Sequence, residues 1–303
     1  MARYAPAQFT VAFPMEDNQR RRVMAPLLEG KVWIQNTDYY GAKSTLAMGQ
    51  SDYRAMIEQA VQTMRTSDLE KVVLSRMVQA ETTDHQAGNA LFDLLCERYP
   101  SACVFQFVAP DGAEWWGATP ERLLVKRQNQ WSTIALAGTR TKANPTPWTA
   151  KEEHEEEVVK EYIINTLVEF GAQDITVSDR YERHAGHLIH LAHDIGFSSD
   201  ASVDFWCEKL HPTPAVCGLP KTLAMDYIRQ HEPHDRGYYT GLLGMEHANG
   251  DADVYVLLRC ARRTEKGFDV FAGGGITAGS NWSDEFAETQ AKAAVFMDVV
   301  LRS

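Results

Sequence analysis

The chain has 303 residues, 44% of them hydrophobic, enough to bury a large core and far from the composition of a disordered polymer. A formal net charge of −11 argues against nonspecific binding to nucleic acid or to an anionic membrane, so an acidic ligand needs positive charge placed locally. Five cysteines (Cys96, Cys103, Cys207, Cys217 and Cys260) are scattered with no Cys-x-x-Cys pair, and no apolar stretch has the length of a signal peptide or a bilayer span; a soluble cytoplasmic protein with reduced thiols is expected.

In chain order, hydrophobic spacing predicts a helix over Asp52–Met64, a strand over Lys71–Val78 and a helix over Ala87–Tyr99. Strands follow at Ala102–Val108, Leu123–Lys126 and Trp131–Leu136, then a helix over His154–Phe170 and a strand at Ile175–Val177. A helix is predicted over Leu219–Gln230, strands over Val254–Arg263 and Phe268–Ala272, and a last helix over Asp284–Leu301 with Ser283-Asp284 as its cap. Strands cluster instead of alternating with helices, so an α+β fold with largely antiparallel sheet is expected. Lys142–Thr149 and His211–Lys221 read as loops, and with no repeat or linker the chain reads as a single domain over residues 1–303.

Several segments carry chemistry. Lys71 opens an apolar strand whose alternation points it inward with Val73 and Ser75; desolvation lowers the proton affinity of a lysine and lets its neutral amine act as a base. A lysine snorkelling from a strand end fits the same segment. Thr119-Pro120-Glu121 delivers a carboxylate just after Trp115-Trp116, an apolar wall that would keep Glu121 protonated and able to act as an acid; an ordinary turn carboxylate is the alternative.

Lys151–Val159 is acidic, as helix starts often are, yet Glu152, Glu155 and Glu156 share a face with Val159. Gly273-Gly274-Gly275 reads as a turn that approaches a ligand closely and feeds a helix on which Glu285, Glu288 and Lys292 form one charged stripe. A solvated, salt-bridged face is one reading of that stripe; paired with the first set of glutamates it makes an all-oxygen site suited to Mg²⁺. Arg259 could hold a carboxylate bidentately. His184, His187, His190 and His193 recur every third residue, but that fan of angles does not converge on one ion, and no metal is expected there.

Taken in order, Lys71–Arg76, Thr119-Pro120-Glu121, Leu136–Arg140, Lys151–Val159, His211–Lys221, Arg236–Gly241, Arg259, Gly273–Ile276 and Glu285–Lys292 resemble the chorismate-utilising enzymes: isochorismate, salicylate, anthranilate and aminodeoxychorismate synthases. The resemblance runs from about Lys71 to the C-terminus; residues 1 to about 50 match poorly and resemble a divergent, shortened N-terminal part. It implies the fold of aminodeoxychorismate (ADC) synthase, two packed antiparallel sheets flanked by helices around a deep cleft. It implies Lys71 as the base that activates water, Glu121 as the acid that protonates the departing hydroxyl, and Glu155 and Glu288 as Mg²⁺ ligands, supported by Glu152 and Glu285. Tyr239, Arg259 and the amides of Gly273, Gly274 and Gly275 would take the enolpyruvyl carboxylate, Lys292 would offset remaining negative charge, and His211, Ala215, Gly138 and Thr139 would complete the substrate site.

His211–Lys221 is similar to the isochorismate synthases in particular, because Ala215 stands where amine-adding and salicylate-forming relatives usually carry threonine or serine. The resemblance therefore implies Mg²⁺-dependent conversion of chorismate to isochorismate for menaquinone or siderophore synthesis, by a monomer with no glutaminase subunit. The alternatives are a salicylate synthase, an anthranilate or aminodeoxychorismate synthase component, or a catalytically silent chorismate-binding relative.

Overall fold

The computed structural model describes residues 3–6, 8–13, 21–24, 30–37, 47–82, 88–142, 147–185 and 188–300. In chain order they form β1 (Arg3–Tyr4), β2 (Gln8–Phe13), β3 (Arg21–Met24), β4 (Gly30–Gln35), α1 (Gln50–Met64), β5 (Lys71–Glu81), α2 (Gly88–Arg98) and β6 (Cys103–Val108). Then come β7 (Glu114–Thr119), β8 (Arg122–Arg127), β9 (Gln130–Thr141), α3 (Ala150–Glu169), β10 (Gln173–Val177), β11 (Tyr181–Ala185), β12 (Leu188–Ser198) and α4 (Val203–Leu210). The rest is β13 (Gly218–Leu219), α5 (Lys221–His231), β14 (Leu242–His247), β15 (Ala252–Val256), β16 (Cys260–Thr264), β17 (Gly267–Thr277) and α6 (Trp282–Val300).

Two sheets result, and the pairings between their strands are antiparallel. The first runs β1-β4-β14-β15-β8-β9-β12-β10, with β11 also on β12; the second runs β13-β5-β17-β16-β7-β6-β2-β3. Phe105, Phe107, Trp115 and Phe271 of the second sheet and Ile34, Leu243, Met245 and Tyr255 of the first form one buried cluster, the interior of the sandwich. The outer faces are covered by helices: Phe92 and Leu95 of α2 and Phe296 of α6 pack on the second sheet, and Val159, Ile163 and Leu167 of α3 with Trp206 of α4 pack on the first. The centre of each sheet is thus covered on both faces, and the first seven residues of β5 are accordingly buried without alternation. The fold is α+β with two antiparallel sheets flanked by helices, as the sequence implies. Among the described residues no helix is long and apolar enough to cross a membrane.

Four local expectations are corrected. Gly273–Gly275 is not a turn: β17 runs straight through it, paired with Ser75, Leu74 and Val73 of β5, and the turn comes at Thr277–Ser280. Val254–Arg263 is not one strand but two in different sheets, β15 and β16. α5 starts at Lys221 because Leu219 pairs with Lys71 in β13, and α6 is capped by Asn281, whose side-chain oxygen accepts from the Ser283 N–H at 2.9 Å. β14, β12 and α4, which local spacing did not single out, complete the first sheet and its cover.

Candidate active site

The cleft is made where a two-stranded ribbon crosses between the sheets. β7 and β16 pair in the second sheet and β8 and β15 in the first, so the links Thr119–Arg122 and Val256–Cys260 run side by side from one sheet to the other. Their backbones are bonded together: the Val256 N–H donates to the Glu121 carbonyl at 3.0 Å, and the Thr119 hydroxyl donates to the Val256 carbonyl at 2.6 Å. This double crossing places Glu121 and Arg259 in one cavity, Arg259 with a left-handed φ of 50°.

The cavity is lined by Lys71, Glu121, Gly138, Glu155, Ala215, Tyr239, Arg259, Gly273, Gly275, Glu288 and Lys292, all expected from the sequence. It is also lined by His190, Thr240, Leu258 and Phe271, which were not. Leu136, Ala137, Leu258 and Phe271 give the cavity its apolar lining; Trp115 and Trp116, expected in that role, lie in two different cores on opposite faces of β7.

β5 and β17 place the lysine. Val73 and Ser75 send their N–H groups away from β17, to the Cys217 carbonyl and the Glu232 carboxylate, so their partners Gly275 and Gly273 also turn their backbone groups outward. β16 pairs with β17 only over Gly267–Val270, which leaves that edge open at the glycines, and Lys292 donates to the Gly273 carbonyl there at 2.9 Å. Side chains at 273 and 275 would collide with the site: a Cβ on Gly275 would come within 2.9 Å of Lys71 Cε, and one on Gly273 within 2.9 Å of the Tyr239 hydroxyl. Gly274 turns to the other face, where its Cβ would lie 3.1 Å from Glu285 Oε2.

Environment separates the two titratable groups. Burial holds the Lys71 ammonium below the ordinary lysine range, with Lys292 adding to the effect and Glu155, Glu288 and Glu285 opposing it. Burial pushes the Glu121 carboxyl up to about 7 against the pull of Arg183, Arg259 and Lys292. Burial thus shifts the two groups in opposite senses, the lysine toward its neutral amine and the glutamic acid toward its protonated form.

Two helices from opposite sides bring further carboxylates. Glu155 projects from α3, which packs on the first sheet, and Glu288 from α6, which packs on the second, where Lys292 lies 2.6 Å from it. Two carboxylates lining one cleft, with room for water and an anionic ligand, suit Mg²⁺, which prefers few protein oxygens and keeps several waters. Glu152 serves α3 itself, accepting from the Thr149 N–H at 2.7 Å and the Thr149 hydroxyl at 2.8 Å. Glu285 is buried beside Gly274. Glu156 is fully buried on the side of the sheet and pairs with Arg180 at 3.0 Å.

Gly138 marks a bulge in β9, where Gly138-Thr139 stands opposite His190 and φ is +66°. His190 Nδ1 lies 3.1 Å from the Gly138 carbonyl, which fixes its proton on that nitrogen, and burial with the nearby Arg259 and Lys292 pushes the ring down to about 3, so it is neutral. The histidine ladder scatters because a strand has period two: His190 faces the cleft, His193 faces α3 with its Nδ1 2.8 Å from the Ser178 carbonyl, and His184 is exposed. Strand alternation was the signal that could have singled out His190. His187 lies outside the described residues, as does the Thr139 side chain. His211 is buried next to the cleft without lining it, and burial pushes it down to about 3.

This arrangement belongs to a chorismate-binding class of protein: residues 34–301 match the family model described as chorismate binding enzyme, and the chain is a member of that family. Among its relatives, the isochorismate synthase EntC of Escherichia coli (strain K12) is 30% identical over 263 residues, 82% of this chain and 67% of that protein. The isochorismate synthase DhbC of Bacillus subtilis (strain 168) is 31% identical over 261 residues, 80% of this chain and 65% of that protein. Among solved structures, the menaquinone-specific isochorismate synthase MenF of Escherichia coli superposes with a TM-score of 0.74 at 27% identity, covering 88% of this chain and 64% of MenF. A Bacillus anthracis protein assigned as the 2,3-dihydroxybenzoate-specific isochorismate synthase DhbC superposes at 0.78 with 25% identity, covering 98% and 84%. The chain spans about two thirds of the length of the curated relatives it matches.

Proposed function

We propose that this chain is an isochorismate synthase that uses Mg²⁺ and adds water to chorismate at ring C2 while the C4 hydroxyl leaves. The observation that carries the reading is the pairing, in one cleft, of a lysine whose ammonium is destabilised with a glutamic acid that keeps its proton up to about pH 7. The neutral Lys71 amine takes a proton from water as its oxygen bonds to C2; the ring double bonds shift, the C4–O bond breaks, and Glu121 gives its proton to the departing oxygen. One water enters and one leaves, so the conversion is an isomerisation with no redox change. Arg259, with the Tyr239 hydroxyl and the outward amides of Gly273 and Gly275, holds the enolpyruvyl carboxylate, and Lys292 offsets charge beside Glu288. Glu155 and Glu288 would hold Mg²⁺, which would supply positive charge for the ring carboxylate.

Ala215 in the cleft wall offers no hydroxyl to orient an amine, which supports water as nucleophile. The relatives named above bear the name isochorismate synthase, one of them 2,3-dihydroxybenzoate-specific and one menaquinone-specific. The same reading expects no glutaminase subunit and a monomeric enzyme. Chromatography of the products formed from chorismate and Mg²⁺, with and without ammonium, tests it. Isochorismate alone is expected; salicylate, an aminated product or unchanged chorismate overturns it.

A further inference from the structure

Arg236 is fully buried, yet it does not line the cleft; it holds together three segments that do. Its Nε and one terminal nitrogen grip both oxygens of the Glu232 carboxylate at 2.7 and 2.8 Å. The same terminal nitrogen donates to the Val73 carbonyl of β5 at 2.6 Å, and the other donates to the Val216 carbonyl at 3.1 Å and the Thr240 hydroxyl at 3.3 Å. Val73, Val216 and Thr240 all line the cleft, and Lys71 lies two residues from Val73 on the same strand face.

Glu232 completes the clamp from the end of α5, accepting from the Ser75 N–H at 2.8 Å, and His234 Nε2 lies 2.9 Å from the Ser75 hydroxyl. Burial pushes the Glu232 carboxyl up, but Arg236, His234 and the Ser75 N–H outweigh it and leave it charged, below the usual range. A serine, a histidine and a glutamate so placed resemble a nucleophilic triad, but Glu232 approaches the same ring nitrogen as Ser75, at 3.5 Å, and all three residues are closed off from solvent. Their role is mechanical.

We infer that Arg236 is a positioning residue: its guanidinium sets the strand carrying Lys71 at a fixed distance from the Ala215–Val216 and Tyr239–Thr240 walls, and so fixes the base against the bound substrate. Only a planar group with five donors reaches five acceptors at once; an ammonium in its place keeps the charge opposite Glu232 and loses the fork. The inference rests on the proposed reaction for its kinetic test.

The test compares Arg236→Lys with Leu95→Ala, a core variant on α2 away from the cleft, at a temperature well below both melting points. Arg236→Lys is expected to lose ~10- to 100-fold in kcat with KM changed less than ~3-fold, as a base displaced by a fraction of an ångström would; Leu95→Ala of equal or lower melting temperature keeps wild-type kcat. A kcat for Arg236→Lys equal to that of Leu95→Ala overturns the inference. Thr240→Val, which removes one contact and leaves the ion pair, is expected to fall between them, and a wild-type kcat in both Arg236→Lys and Thr240→Val overturns it as well. Wild-type protein that fails to convert chorismate overturns the proposed function instead. Hydrogen exchange then reads the clamp: faster exchange at the β5 amides in Arg236→Lys than in Leu95→Ala supports it, and equal exchange in the two proteins overturns it.

Discussion

At the scale of single residues, the cleft works by taking two groups out of water together. Lys71→Ala removes the base and Glu121→Gln the acid, and each is expected to lower kcat by ~10²- to 10⁴-fold while circular dichroism shows the fold intact. A rate near wild type in either variant overturns the assignment. The pH dependence has a definite sign. Glu121 must be protonated to act, so kcat/KM is expected to fall as pH rises through about 7, while loss of the neutral lysine depresses it on the acidic side.

Glu121 also leaves a mark on stability. Its folded pKa lies above its unfolded value of 4.5, so the folded state binds a proton that the unfolded chain has released, and stability declines as pH rises from about 4.5 to about 7. Glu121→Gln removes that penalty. It is expected to stabilise the protein above pH 7, by at most ~3 kcal/mol, and to change little at pH 4. Urea unfolding at the two pH values measures it, and a gain of the same size at both rejects the raised carboxyl.

At the scale of elements, the site depends on strands that break off at the right place. β16 stops pairing with β17 at Val270, and the exposed edge that follows is where Lys292 reaches the Gly273 carbonyl. Gly275→Ala is expected to cut kcat ~10-fold or more with little loss of stability, since its methyl would press on Lys71 Cε, the flexible end of a side chain, and not on backbone. A kinetic assay paired with a melting curve decides it; unchanged kcat means the lysine gives way freely.

The same glycines show what local sequence can and cannot tell. A triplet of glycines signals a turn to any reading based on propensity, and only pairing with β5 makes it a strand. Val254–Arg263 read as one strand because the apolar run is continuous, and nothing in Leu258-Arg259 announces a left-handed residue where the chain changes sheets. Lys71 and Glu121 were legible because burying a charge is costly unless it has work to do and each abuts an apolar segment, whereas Glu155 sits in an acidic helix start and was singled out by the resemblance to the chorismate-utilising enzymes. His190 and Arg236 were hidden for opposite reasons: one inside a misleading repeat, the other in a contact that only the tertiary fold creates.

At the scale of the whole molecule, the two carboxylates expected to hold Mg²⁺ come from helices anchored on different sheets, Glu155 through α3 on the first and Glu288 through α6 on the second. A metal ligated by both ties the two outer layers of the sandwich together, so its binding should register as global stability as well as activity. At ~100 times its dissociation constant, Mg²⁺ is expected to add ~2.7 kcal/mol to unfolding, visible as a higher melting temperature that EDTA reverses. Glu155→Gln and Glu288→Gln are each expected to remove most of that rise, because a lone carboxylate beside the Lys292 ammonium holds a divalent cation poorly. The decisive sample is the double variant Glu155→Gln/Glu288→Gln: a melting shift with Mg²⁺ equal to that of wild type would place the metal elsewhere in the molecule, whereas its loss, with the metal-free melting temperature preserved, ties the ion to these two helices.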